Sequence, residues 1–169
     1  MVFFSQMENS GRRWKRLGAV MLLLLIGAWL AWPYVTLLRL ERAAVAGNAA
    51  TLEEIVDLDA VRTEIEKRLN KEMQSSIGEV SNAFVDWLQQ GVMRLGSEAV
   101  DVLVTTDWVR EQLLAKSSGG SDGFLRHISY AFYESPVIFL VRIGAADDDP
   151  VFLRMRLDGL RWRITAVYG

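Results

Sequence analysis

Four arginines near the end of the chain alternate with apolar residues and could together bind an anion. They lie in the segment VFLRMRLDGLRWRITAV and are Arg154, Arg156, Arg161 and Arg163. Guanidinium groups bind carboxylates and phosphates through paired hydrogen bonds. Three outcomes are open: acids of neighbouring elements such as Glu134 neutralise the arginines, the side chains extend into water over their apolar stems, or they bind an external anion. That anion would be a lipid headgroup, an acidic ligand or a protein partner.

His127 is the sole histidine, and the chain contains no cysteine. A catalytic histidine needs an orienting carboxylate and a nucleophile, and Ser129 would lie beside His127 along a strand rather than opposite to it. The absence of cysteine excludes a thiol nucleophile, a thiolate metal site and a disulfide. We find no nucleotide, hydrolase or metal motif, so we expect a protein that is not an enzyme and that uses no cofactor or metal. An enzyme using His127 with a nearby acid is kept as an alternative.

Aromatic and apolar residues of the predicted strands could line a ligand pocket between helices and sheet. Packing in a core is the alternative for each of them: Phe124, Ile128, Tyr130, Phe132, Phe139, Met155 and Trp162. With the four arginines, we single out His127, Tyr130 and Trp162 as candidate ligand- or partner-binding residues.

The elements that would position these residues form a strand half, residues 124–169. Asp158-Gly159 is a preferred pair for a two-residue hairpin turn. Such a turn predicts the cross-strand pairs Met155 with Trp162, Arg156 with Arg161, and Arg154 with Arg163. Upstream, Phe124–Glu134 and Pro136–Gly144 are typical of strands. We therefore predict an antiparallel meander of about four strands.

A helical half, residues 39–115, precedes the strands. Gly47 is predicted to end the first helix, and apolar residues at spacings of three and four predict an amphipathic helix from Leu58 to Met73. Further helices are predicted at Val80–Leu95, Val100–Val104 and Trp108–Leu114. From Glu41 to Asp122 the chain has 15 acids and 8 bases, so internal partners for the arginines are plentiful. Helices followed by strands predict an α+β domain.

An apolar segment, Leu17–Leu38, contains no charge and would make a helix of about 33 Å, against about 30 Å of membrane hydrocarbon. A cleaved signal peptide, a buried core helix and a permanent anchor are the alternatives. The segment is longer than the apolar core of a signal peptide, and GAWLAWPY places bulky residues where cleavage needs small ones. We therefore predict a single transmembrane helix over residues 17–38.

The orientation of this helix follows from its basic flank. Four basic residues precede it, and Arg39 and Arg42 follow it, so residues 1–16 are predicted to be cytoplasmic and residues 39–169 to lie outside. From Arg39 onward, 15 basic and 20 acidic residues give a net charge of −5. That balance is a poor match for nucleic acid.

The order of these segments resembles a bacterial, mainly proteobacterial, domain-of-unknown-function family numbered twenty-nine thirty-nine. The resemblance rests on WPYVTLLRLERAAVAGNAATLEEIVDLDAVRTEIEKRLN, LVTTDWVREQLL and LRMRLDGLRWRITAV. Trp32-Pro33-Tyr34 stands where that family has SPY-like residues. The resemblance implies a bacterial inner-membrane protein with a periplasmic domain. It implies no catalytic residue, because the family has no established activity.

The segment RAAVAGNAATLEEIVD is more loosely similar to the opening helices of membrane-anchored NTF2-like domains. In those domains, helices fold against a curved antiparallel sheet, often around a pocket, which implies an NTF2-like or cystatin-like α+β fold. Because we predict no helix between the strands, a simpler domain of helices and a strand meander is the alternative. We expect a non-enzymatic, single-pass envelope protein that binds a protein partner or a membrane component. A small-ligand or lipid-binding domain with a pocket between helices and sheet is the alternative.

Overall fold

The computed structural model describes residues 5–74, 90–91, 99–115, 123–145 and 150–168 of the 169-residue chain. The chain divides into two compact units, Met1–Val35 and Thr36–Gly169. The α+β prediction is confirmed, because a long apolar helix and several shorter helices precede a four-stranded antiparallel sheet. Of the helix predicted at Val80–Leu95, residues 90–91 are described and helical, and the remainder lies outside the described residues.

The N-terminal unit consists of the first part of helix α1, Ser5–Ala46. From Leu17 to Leu30, its large aliphatic side chains that point outward are between 44% and 69% exposed. The portion Trp14–Ala46 is long and apolar enough to cross a membrane, and 17% of its most apolar window is buried. A core helix of a water-soluble domain would bury one face. Length and apolar composition alone do not separate a span from a signal sequence near the N-terminus.

The second unit begins within α1, where Leu40 and Ala44 are fully buried. The helix ends at Gly47, which has a φ of +64°. The N–H groups of Asn48 and Gly47 donate to the carbonyls of Ala43 and Ala44 at 2.9 and 3.3 Å. These two bonds form a Schellman motif, which favours glycine because of the positive φ. The prediction that Gly47 terminates this helix is confirmed.

Besides the helical residues 90–91, four helices follow α1 within the described residues: α2 Ala49–Ile55, α3 Leu58–Gln74, α4 Ala99–Leu103 and α5 Thr106–Ala115. The predicted apolar face of α3 is buried, with Val61 and Ile65 at 0% and 1% exposure. Before α3, Asp57 accepts a hydrogen bond from the Ala60 N–H at 3.2 Å. The Asp57 N–H donates to the Ile164 carbonyl at 2.9 Å, which fixes the start of α3 against the last strand.

The sheet has the order β1-β2-β3-β4, with every neighbouring pair antiparallel: β1 Ile128–Ser135, β2 Ile138–Ile143, β3 Val151–Asp158 and β4 Arg161–Tyr168. The predicted strand at Phe124–Glu134 began four residues too early, since Phe124–His127 form a 3-10 turn. There the Leu125 N–H donates to a Glu41 carboxylate oxygen at 3.0 Å. Glu41 of α1 thus binds the Leu125 N–H, which in a longer β1 strand would be available to a neighbouring strand.

The hairpin between β3 and β4 differs from its predicted register. Its turn is Gly159-Leu160, one residue later than predicted, and Asp158 pairs with Arg161. A register shift near Thr165 adds one further residue to β4. The pairs actually formed are Leu157 with Trp162, Arg156 with Arg163, Met155 with Ile164, and Arg154 with Ala166. The predicted pairs Met155 with Trp162, Arg156 with Arg161, and Arg154 with Arg163 were therefore wrong, although the division into an apolar and an arginine-bearing face is confirmed.

Candidate functional site

The two faces of the sheet carry different residues. We call the face that includes Phe139, Met155 and Trp162 the inner face, and these three side chains are 0–2% exposed. We call the opposite face the outer face. The strand register places three rows across it: Tyr130, Arg142, Phe152 and Tyr168; then Phe132, Leu140, Arg154 and Ala166; then Ile138, Arg156 and Arg163.

Three of the four predicted arginines have a carboxylate partner inside the protein. Arg154 pairs with Glu134 at 3.3 Å, Arg161 with Glu54 at 3.4 Å, and Arg163 with Asp57 at 3.1 Å. These partners come from β1, α2 and the residue that caps α3. Arg163 also donates to the Val56 carbonyl at 3.4 Å. Neutralisation by acids of neighbouring elements, including Glu134, is therefore found for these three side chains.

Arg156 differs from its neighbours in the sheet. No carboxylate among the residues that the structure describes lies within ion-pair distance of its guanidinium. It is exposed, and its directly opposite residue on β4 is Arg163. Like charges opposite each other across a strand pair repel. Asp57 offsets the charge of Arg163, whereas no described acid does the same for Arg156.

A half-open cleft of about 360 Å³ contains Arg156. We call it the cationic cleft. One wall is the polar side of α3, and the other is the outer face of the sheet near the β1–β2 turn. Its lining residues are Ala60, Thr63, Glu64, Lys67, Val137, Ile138, Arg154, Arg156 and Thr165. Three cations and one carboxylate thus line the cleft.

The carboxylate and hydroxyl groups of the cationic cleft have partners of their own. Glu64 lies 3.6 Å from Arg68, one turn along α3. The Thr63 hydroxyl donates to the Asp59 carbonyl at 2.8 Å, and that of Thr165 to the Arg154 carbonyl at 3.4 Å. Hydrogen-bond donors free to meet a ligand therefore come from Arg156 and Lys67.

A row of rings and guanidinium groups crosses the outer face beside the cationic cleft. Arg142 lies over the Tyr130 and Phe152 rings at 5.6 and 5.9 Å from their centroids. Phe152 stacks on Tyr168 at 5.3 Å, and Arg68 of α3 lies 3.5 Å over Tyr168. These contacts are cation–π interactions. Arg142 and Arg68 therefore have aromatic partners, which distinguishes both from Arg156.

The other candidate residues do not assemble with the arginines. Trp162 is 2% exposed on the inner face, and its buried indole N–H has no hydrogen-bond partner within the described residues. Tyr130 is 39% exposed on the outer face, two rows from Arg156. His127 lies in the 3-10 turn rather than on a strand, and its carbonyl accepts from the Gly144 N–H at 2.8 Å.

The predicted aromatic pocket wall is divided between two environments. Phe124, Phe139, Met155 and Trp162 are packed in the core, whereas Tyr130 and Phe132 are exposed on the outer face. Tyr133, Phe139 and Trp162 contact one another edge to face, with centroids 4.9 to 6.3 Å apart. This part of the space between helices and sheet is filled by side chains.

Sequence reasoning missed Lys67 as a site residue. It lies on the charged side of α3, and only the three-dimensional placement of α3 beside β4 brings that side next to Arg154 and Arg156. The sequence does place Thr63, Glu64 and Lys67 on one side of the helix through their spacing. Among the described residues, no group of three or more His, Asp or Glu side chains could hold a metal ion.

Comparison with known proteins places the chain beside a protein family. The family model described as "Protein of unknown function (DUF2939)" matches residues 22–111, just over half of the chain. No curated protein matches, and no solved structure matches. The NTF2-like resemblance therefore stays a prediction. The matched residues include the α3 wall of the cationic cleft and end before the sheet wall begins.

Proposed function

The chain belongs to the DUF2939 family, whose description assigns no activity, and from this premise we propose that the protein is a membrane-anchored binding module without catalytic activity. Its single span lies within residues 17–38, the end of which, at Leu37, packs in the core of the second unit, and residues 1–16 are cytoplasmic. Residues 39–169 form a domain on the periplasmic side of a bacterial inner membrane, where it binds a protein partner or a membrane component. The exposed apolar surface of α1 is the observation that carries this proposal.

The anchor is supported by the energetics of that surface. Trp14 is 76% exposed and Leu24 is 69% exposed, and contiguous apolar surface of this size is unfavourable in water. Lipid would cover it along the whole length that the helix needs to cross a bilayer. The four basic residues that precede the span favour a cytoplasmic N-terminus. The bacterial and periplasmic assignment rests on the family resemblance.

The binding role is supported by the composition of the outer face. Exposed aromatic residues and arginines are enriched where proteins bind partners. Phe132 is 47% exposed and Tyr130 is 39% exposed, and both lie on the face that carries Arg156. A role without catalysis is supported by His127, which lies in the 3-10 turn and is not among the residues that line the cationic cleft.

Cysteine labelling tests the anchor, because the natural chain has no cysteine to interfere. Leu160→Cys places a thiol on the exposed β3–β4 turn, and Ser5→Cys places one before the basic cluster. We expect a membrane-impermeant maleimide to label Leu160→Cys in intact spheroplasts and Ser5→Cys only after lysis. The reverse pattern, or mature protein that lacks the apolar segment and is released from the membrane, would contradict the proposal.

Site-specific photo-crosslinking in cells tests the binding surface. A benzophenone side chain at Phe132 reports on the outer face, and the same group at Leu160 serves as the control, since Leu160 is 76% exposed on a turn. We expect a discrete crosslinked species from position 132 and none from position 160. Equal crosslinking from both positions would mean that the outer face is not a specific surface.

A second candidate function is the binding of a small ligand or a lipid. The cationic cleft favours it, since its volume of about 360 Å³ lies within the usual range of small-molecule pockets. This candidate differs from the pocket expected from the sequence. The ligand would contact the outer face and α3 rather than the aromatic residues of the core.

A further inference from the structure

Arg156 and Lys67 give the cationic cleft two positive charges that have no partner of opposite charge within the described residues. Arg154 adds a third guanidinium at the edge, shared with Glu134 at 3.3 Å. Glu64, the one acid of the lining, is occupied by Arg68. The local charge is therefore positive in a domain whose net charge is −5. Such a cleft attracts a small anion at short range, while the rest of the surface repels an extended polyanion.

The charge and shape of the lining indicate a particular anion. A phosphate monoester carries a charge of about −1.5 to −2 near pH 7, which matches two unpartnered cations better than one carboxylate does. The planar fork of an arginine fits two phosphate oxygens, and a lysine supplies a point charge beside it. Ala60, Val137 and Ile138 add an apolar part to the lining. That part suits the short organic portion of an ester.

We propose that the cationic cleft binds the phosphate group of a small phosphate ester through Arg156 and Lys67, with Arg154 at its edge. This inference rests on the proposed function, because it names the ligand class of the anchored module. The ester is either soluble, such as a sugar or glycerol phosphate, or the headgroup of a lipid. Both sources share the same phosphate chemistry. In either case, the phosphate supplies Arg156 with the counter-charge that Arg163 already has in Asp57.

Calorimetric titration of the full chain in phosphatidylcholine nanodiscs tests this inference. One arm uses glycerol 3-phosphate, and the other uses short-chain phosphatidic acid. Binding of both probes with similar affinity assigns the site to a soluble ester. Binding of the lipid that is tighter by about tenfold or more assigns it to a headgroup, because buried acyl methylenes then contribute.

Matched variants connect the binding to the cationic cleft. We expect Arg156→Gln to lower the affinity by about tenfold or more, since it removes charge-assisted hydrogen bonds to the phosphate. Lys67→Gln should lower it by a smaller factor. Arg161→Gln removes the same charge from the same hairpin outside the cleft, where the side chain is 74% exposed, and should change the affinity by less than about twofold.

Two results would overturn the inference. One is the absence of binding of either probe to the natural chain at millimolar concentration. The other is an equal loss of affinity in Arg156→Gln and Arg161→Gln, which would indicate attraction by general charge. Near-ultraviolet circular dichroism of each variant confirms that it is folded. If the probes do not bind while Leu160→Cys is labelled from outside, the ligand class is wrong and the anchored module stands.

Discussion

The inner and outer faces of the sheet use aromatic residues in opposite ways. On the inner face, Tyr133, Phe139 and Trp162 contact one another edge to face, and Phe139 is fully buried. On the outer face, Tyr130 and Phe132 are also in contact, with centroids 5.5 Å apart, yet they are 39% and 47% exposed. The same residue types thus close a core on one side and meet solvent on the other.

This difference separates stability from binding. Burying an aromatic side chain removes a large apolar area from water, so the inner face contributes most to folding. The ion pairs of the outer face are partly exposed: the side chains of Arg154 and Glu134 are 37% and 47% exposed. Exposed pairs of this kind contribute about 0–1 kcal/mol each. A contribution to folding stability therefore accounts for the aromatic residues of the inner face, but it does not account for the arginines of the outer face.

The largest expected effect comes from the inner face. Phe139→Ala should lower the free energy of unfolding by about 3–5 kcal/mol, because it leaves a cavity among Tyr133 and Trp162. Phe132→Ala is the control on the outer face and should cost less than about 1 kcal/mol. Urea unfolding of the full chain in neutral nanodiscs, followed by near-ultraviolet circular dichroism, measures both. Equal losses of unfolding free energy would contradict the view that the inner face contributes more to stability than the outer face.

A smaller effect is expected where the outer face meets the helices. Asp57 caps α3 through the Ala60 N–H and also pairs with Arg163. Asp57→Ala should therefore cost about 2 kcal/mol, from the lost cap and from the partly buried pair. Glu54→Ala is the matched control, because Glu54 caps no helix and its pairs with Arg39 and Arg161 are exposed, and it should cost less than about 1 kcal/mol. Similar losses in the two variants would show that the cap contributes nothing.

The order of elements could be predicted because each one has a local pattern. The apolar run, the spacing of apolar residues in α3 and the glycine after α1 depend on neighbours in sequence. The start of β1 could not be predicted in this way. Its position depends on Glu41, 84 residues before Leu125 in the chain, which accepts a hydrogen bond from the Leu125 N–H. Local alternation of residues contains no information about that contact.

The sequence predicted which arginines share the outer face, but it did not predict the cationic cleft. Alternation placed Arg154, Arg156 and Arg163 together, and that part is confirmed. The turn at Gly159-Leu160 and the register shift near Thr165 then changed every cross-strand partner. Beside this shift, Ile164 of β4 pairs with Val56 and accepts a hydrogen bond from the Asp57 N–H, contacts that are distant in sequence. Lys67 lines the cleft because α3 packs beside β4, which is also a contact between segments distant in sequence.

Releasing Arg154 from its acid should separate folding from binding still further. Glu134→Gln removes the charge that pairs with Arg154 and keeps the size of the side chain. We expect a loss of stability below about 1 kcal/mol, because the pair is exposed. The affinity for glycerol 3-phosphate should rise by about two- to threefold, since a third guanidinium becomes available to the cleft. Reduced affinity, measured by calorimetry on the full chain, would place Arg154 outside the anion site.

The smallest expected effect on folding belongs to Arg156, and it is the most informative. No described carboxylate pairs with Arg156, and Arg163 lies directly opposite. Arg156→Gln removes no ion pair with a described residue, so the free energy of unfolding should stay within about 0.5 kcal/mol. Arg163→Gln removes the same charge from the facing position, but it also breaks the pair with Asp57 and should cost about 1–2 kcal/mol. If urea unfolding gave the same loss for both variants, Arg156 would be a residue that stabilises the fold. The outer face, like the inner face, would then be explained by stability rather than by binding.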